Sequence, residues 1–150
     1  MADSATTSNR FRKQSLGSNL NVWGDPYLND NFDLIDSALD GQTSLTLTGG
    51  TSTLTSTNYA ADQSRERMLI ATSTLASNQV VIIPAVAKIY FVVNSLTMAG
   101  FTLTIKTASG VGASIPAGGS YIVSCDGTDC AVRRTLDYGS NELTNVGSAT

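Results

Sequence analysis

Leu34-Ile-Asp-Ser-Ala-Leu-Asp-Gly41-Gln-Thr-Ser-Leu-Thr-Leu-Thr-Gly-Gly50 contains the change of pattern that decides the fold. Up to Gly41 the apolar residues recur at helical spacing. From Thr43 the period is two, and Ser44-Leu-Thr-Leu-Thr48 alternates until Gly49-Gly50 breaks it. Working back from Gly41, the spacing predicts a helix over 25–40. Asp25 suits the N-cap and Pro26 the first helical position, and Gly41 is a natural stop. Leu28, Phe32, Ile35 and Leu39 recur at i, i+4, i+7 and i+11, which is one helical face. Asp25 and Asp30 complement the helix dipole, whereas Asp36 and Asp40 oppose it at the other end and call for partners. Together with Trp23 and Tyr27 the apolar face forms a sticky patch. Two readings stand: it packs on the chain's own sheet, or it docks on another subunit.

Working forward, Arg67–Thr72, Gln79–Ile83, Lys88–Val93, Phe101–Thr107, Ser120–Cys125 and Cys130–Arg134 read as further short strands, punctuated by Pro84, Asn94, Gly100, Gly110, Gly112, Pro116, Gly118 and Gly119. Seven or eight short strands at this spacing predict a mainly β domain, an antiparallel β-sandwich or jelly-roll-like fold. No solenoid-type repeat is visible. Lys88-Ile-Tyr-Phe-Val-Val93 is apolar on both faces, so that strand is central or lies under a neighbouring subunit, and Tyr90 and Val92 are candidate oligomer contacts. The expected organisation is an extended arm over 1–24, the helix over 25–41, the sandwich over 42–135 and an extended exit or stalk start over 136–150, where Leu136 begins a sparse apolar series.

Composition excludes several classes of function. The 150 residues include no His, the commonest general base and metal ligand. Two cysteines, Cys125 and Cys130, cannot close a zinc site alone. They flank a four-residue turn, so a cross-strand disulfide is conceivable, though the reduced pair suits a cytoplasmic product. Asp126 and Asp129 share that turn and cannot flank a glycosidic bond from opposite sides of a cleft. They also offer too few oxygens for calcium. No Ser stands in a nucleophile elbow, and no glycine cluster has phosphate-loop spacing. These absences predict a protein that is not an enzyme and takes no cofactor. The longest apolar run, 85–93, already contains Lys88 and falls short of the ~20 residues that span a bilayer. The start of the chain has no apolar core of a secretory signal, so synthesis in a cytoplasm is expected. A net charge of −3 gives no reason to expect nucleic acid.

Charge is distributed unevenly. Arg10, Arg12 and Lys13 outweigh Asp3 in the arm, while 25–40 carries five aspartates and no Lys or Arg. Charged residues are only 14% of the chain, against about 25% in an ordinary domain. With 19 Thr and 18 Ser, such a chain either builds extended β structure or is covered by protein partners. The arm has too little apolar content to fold alone and is expected to order on a partner.

Asn9-Arg-Phe-Arg-Lys13, Asn21-Val-Trp-Gly24, Tyr27-Leu-Asn-Asp-Asn-Phe32 and Leu34–Gly41 together resemble the opening of phage tail-fibre and head-fibre proteins. Leu45-Thr-Leu-Thr48, Val93-Asn-Ser95, Cys125–Asp129 and Asn141–Val146 are similar to later phrases of that group. The resemblance is closest over 19–41. It implies a structural protein of a tailed bacteriophage virion, commonly a homotrimer, held through its arm and helix on a tail, portal-adaptor or capsid surface. The candidate attachment residues are Arg10, Phe11, Arg12, Asn21, Trp23, Tyr27, Asn29, Asn31 and Asp36. The alternatives are a capsid decoration protein and a module contacting a host surface glycan.

Overall fold

The structure is a computed structural model that describes residues 3–6, 10–15, 21 and 27–133. In chain order its elements are β1 (Ser4–Ala5), β2 (Arg12–Lys13), α1 (Asn29–Asp40), β3 (Gln42–Thr46), β4 (Gly50–Thr53), β5 (Met68–Thr74), β6 (Gln79–Ile82), β7 (Ala87–Thr97), β8 (Leu103–Lys106), β9 (Ala113–Ile115), β10 (Ser120–Asp126) and β11 (Cys130–Arg133). Two sheets carry the domain, one in the order β11-β10-β7-β5-β3 and the other β4-β6-β8-β9. The expectation of a mainly β, two-sheet domain behind one short helix holds.

The pairing differs from the antiparallel sandwich expected. From β3 to β8 each strand crosses to the other sheet before the next begins. Same-sheet neighbours therefore run the same way, and β3–β5, β5–β7, β4–β6 and β6–β8 are all parallel. The corners stack as well, with Leu47 N–H donating to Thr72 O at 3.0 Å, Gly50 N–H to Asn78 O at 2.9 Å and Gln79 N–H to Thr102 O at 2.8 Å. The chain thus winds three coils of a two-sheet solenoid, a repeat not visible in the sequence. The antiparallel strands β9, β10 and β11 close it. Two features hide the repeat. Period-two alternation does not encode strand direction, and the long connection over 55–67 has no counterpart of similar length between β6 and β7.

The core lies between the sheets. Leu69, Val81, Tyr90, Val92, Leu103, Ile105 and Val123 are each at most 1% exposed. Register places Leu69 beside Val92 in one sheet and Val81 beside Ile105 in the other. Two buried polar side chains fasten the corners. Gln79 accepts from Gly49 N–H at 3.0 Å and donates to Ser52 Oγ and Val80 O. Asn94 accepts from Leu96 N–H at 3.1 Å and donates to Pro116 O at 2.7 Å.

β7 is the middle strand of the five-stranded sheet, which explains its two apolar faces. Its inward face is Tyr90 and Val92. Those two residues belong to the core and cannot serve as the oligomer contacts expected of them. The outward face carries Ile89, Phe91 and Val93. Leu136 lies outside the described residues.

The helix begins at Asn29, with helical backbone already at Leu28, which carries no side-chain cap. Asp25 and Pro26, expected to start it, lie outside the described residues. It ends where expected, and Gly41 N–H donates to Ser37 O at 3.0 Å. Gly41 is nevertheless extended, at φ −67° and ψ 150°. Here glycine supplies space: a Cβ would sit 2.4 Å from Ser37 O. The Gly41 carbonyl accepts from Arg67 and Met68 N–H groups, tying the helix end to β5.

Candidate attachment site

Arg12 organises the N-terminal part of the molecule. Its N–H donates to Asn31 Oδ1 at 2.8 Å, and Asn31 Nδ2 donates to Arg12 O at 3.0 Å. The side-chain amide of Asn31, projecting from α1, thus pairs with β2 as a neighbouring strand would. The Arg12 guanidinium lies between the rings of Tyr27 and Tyr59, 4.0 and 4.3 Å from their centroids, a geometry that Arg's flat fork suits and an ammonium does not. It also pairs with Asp3 at 3.0 Å. Asp3 in turn accepts from Ser15 N–H.

Around this hub, β1 and β2 form a small antiparallel ladder. Thr6 and Phe11 exchange hydrogen bonds at 2.9 Å. Arg10 adopts φ 56°, and its carbonyl accepts from Tyr59 N–H at 3.1 Å. The described part of the arm is therefore folded back on α1 and on the 55–67 connection of the same chain. For these residues it corrects the expectation that the arm orders only on a partner. Its local hydrogen bonds and one stacked guanidinium replace the apolar burial it lacks.

Of the predicted attachment residues, Arg10, Phe11, Arg12, Tyr27 and Asn31 are brought together here. Asn21, Asn29 and Asp36 are exposed, the last two along α1. Trp23 lies outside the described residues. Tyr59 and Arg65, whose guanidinium stands 5.8 Å from the Phe11 ring, were missed. Tyr59 sits in a polar connection far along the chain, and no local spacing links it to Arg12.

Replacing Arg12 with Lys tests the hub. The stacked fork is lost while the charge stays, so the hairpin should loosen by about 1–2 kcal/mol. Amide hydrogen exchange at Tyr59 and Arg12 should then accelerate roughly 5–30-fold, with exchange in the core strands unchanged.

The second component is the outer surface of α1. Among its side chains only Leu34 is buried. Phe32, Ile35 and Leu39 are 58%, 37% and 55% exposed, so the chain's own sheets leave much of the predicted apolar face uncovered. Asp33, Asp36 and Asp40 are exposed as well. Among the described residues the ion pair is Arg12–Asp3, and no helix aspartate is in one. Arg67 compensates the acidic C-terminal end, donating from Nη1 to Leu39 O at 3.2 Å while covering the Phe91 ring at 4.7 Å. Between helix and sheet opens a groove of about 330 Å³ lined by Leu39, Asp40, Gly41, Arg67, Met68 and Phe91. It is large enough for a bulky side chain from outside.

The 55–67 connection is fastened by Lys88. Its ammonium donates to the carbonyls of Ser64 (2.6 Å), Arg65 and Glu66 (3.3 Å). Burial, with Arg65 nearby, lowers its pKa to about 8, although the three carbonyls favour the charged form. An unfolded Lys titrates near 10.4. Below pH ~8 the ammonium is charged in both states and its desolvation is a cost. Between about 8 and 10.4 the unfolded chain binds the extra proton, so that cost is relieved as pH rises. Denaturant titrations of the wild type and of Lys88→Met should show their stability difference growing in favour of the wild type by about 1 kcal/mol from pH 7.5 to 10.5, after discounting for solvent screening.

Elsewhere the acids do structural work. Asp126 Oδ1 accepts from Thr128 and Asp129 N–H at 2.8 Å each, and these bonds hold its carboxyl below the usual range. Asp129 accepts from Val111 N–H at 2.7 Å. Among the described residues no three His, Cys, Asp or Glu side chains gather as a metal site, and no helix is long and apolar enough to cross a membrane. No family model, curated protein or solved structure matches the chain.

Proposed function

We propose that this chain is a structural protein of a tailed bacteriophage virion, a fibre or fibre-anchoring component attached through its N-terminal arm and α1 to a tail, portal-adaptor or capsid protein. The observation that carries the reading is the exposed ridge of Phe32, Ile35 and Leu39. A 12-residue helix that buries one side chain gains little from its own domain, and such a helix is held ready for an apolar groove elsewhere. The folded-back arm supports this, because Arg12 and Asn31 fix the direction of α1 before any partner arrives. The four aspartates of α1 suit a groove rimmed by Lys or Arg. Homotrimer formation belongs to the same proposal. The outward row Ile122–Phe91–Met68, with Val93–Ile70 beside it, is apolar surface that another copy would cover.

Cryo-electron microscopy of intact particles tests the reading. The expected density has α1 seated against a second virion protein and the β domains in a threefold cluster. Single copies spread over capsid faces with α1 in solvent would replace it with the decoration reading, and absence from particles would remove it.

A further inference from the structure

Cys125 and Cys130 face each other across the β10–β11 hairpin as direct Cα partners. The hydrogen-bond phase says which kind of pair they form. Asp126 N–H donates to Asp129 O at 3.1 Å, closing the pair next to the turn, and Cys130 N–H turns away to Val111 O at 2.9 Å. Because bonded and non-bonded pairs alternate along an antiparallel ladder, 125–130 is a non-hydrogen-bonded pair. Such pairs hold their Cα atoms about 4.5 Å apart, inside the range a disulfide spans. Both side chains point into the core, 5% and 4% exposed. Gly127, at φ 106°, supplies the turn conformation that sets this register. Both thiols are free in the structure.

We propose that Cys125 and Cys130 are a disulfide-forming site that closes when the protein meets a disulfide-class oxidant, stapling β11 to β10. One cysteine thiolate attacks the oxidant's S–S bond and expels one of its halves as a thiolate. The second cysteine thiolate then attacks the mixed disulfide and expels the other half. The two cysteine protons end on the two released thiols, so the pair is oxidised by two electrons and one small disulfide is reduced to two thiols. The staple acts where it has most leverage. Among the described strands β11 is at the edge of its sheet and pairs there with β10, and edges fray first. Burial pushes the Cys130 thiol up to about 12, so exchange is slow while the hairpin is closed, and the finished bond is shielded from reductants in the same way. The site stands whether or not the attachment reading does.

The full-length chain is equilibrated in glutathione/glutathione-disulfide mixtures of rising oxidising strength, both as folded protein and during refolding from urea. Free thiols are then counted by alkylation and intact mass. The expected result is joint disappearance of both thiols with loss of two hydrogens and no glutathione adduct, at least in the refolded samples, and a Tm higher by roughly 5 °C. Cys125→Ser should instead give a glutathione adduct or a free thiol at Cys130. Thiols still free after refolding under the most oxidising mixture would overturn the proposal, as would adducts or chain-to-chain disulfides in place of the internal bond.

Discussion

Particles assembled with Phe32→Gln/Leu39→Gln in place of the wild-type chain should carry no more than about one tenth of its copies, although the variant itself stays folded. The two halves of this expectation have separate causes. Phe32 and Leu39 are 58% and 55% exposed, so replacing them removes little from the folded chain, and Gln keeps a good helix propensity. The links that hold α1 in place remain: Leu34 in the interior, the Asn31–Arg12 pair, and the Gly41 carbonyl bonded to Arg67 and Met68. The Tm should therefore move by no more than about 3 °C. At a partner surface the balance is different. Full burial of such a side chain is worth about 1.5–3 kcal/mol, and a little over half of each is still exposed, so losing both weakens docking by about 2–3 kcal/mol, which is more than tenfold at 1.4 kcal/mol per decade. Quantitative mass spectrometry of purified particles reads the copy number. Wild-type occupancy by a folded variant would show that the ridge is not the attachment surface.

The same helix shows how far a sequence carries. The change of period at Gly41–Thr43 located both the end of α1 and the start of β3, because glycine and β-branched alternation act locally. The central position of β7 was legible for the same reason, since a strand apolar at Ile89–Val93 on both faces has to be covered on both sides or nearly so. Direction was not legible. Ser44–Thr48 alternates identically whether its neighbour is a hairpin partner or the next coil of a solenoid, and the 55–67 connection breaks any fixed period. The face of α1 was readable, but its orientation was not, because Leu34, one residue off the apolar series, is the side chain that packs inward. Arg12 and Asn31 could be singled out from the N-terminal pattern. Tyr59, which stacks on Arg12, could not, since the contact depends on a polar connection held down by Lys88 and Tyr90, which lie further along the chain.

Tyr90 is the residue on which that arrangement depends most, and Tyr90→Ala should cost about 4 kcal/mol of stability. The side chain is 0% exposed at the centre of the core, with Val123 its direct partner on β10. Truncation leaves a ring-sized hole among parallel coils that cannot collapse without shifting their shared hydrogen bonds. Tyr90→Phe separates packing from anchoring. It keeps the ring and removes the Oη donation to Ser64 O at 3.1 Å, so the global loss should be about 1 kcal/mol. Its local effect should be larger than its global one. Ser64 belongs to the connection that also carries Tyr59, and Tyr59 stacks on Arg12 and bonds Arg10. Loosening Ser64 therefore loosens the platform beneath the arm, and the orientation of α1 with it. Denaturant unfolding gives the global term, and hydrogen exchange at Tyr59 gives the local one. If Tyr90→Phe left exchange at Tyr59 unchanged while lowering global stability, the connection would be held by Lys88 alone, and the proposed route from core to attachment surface would be cut at Ser64.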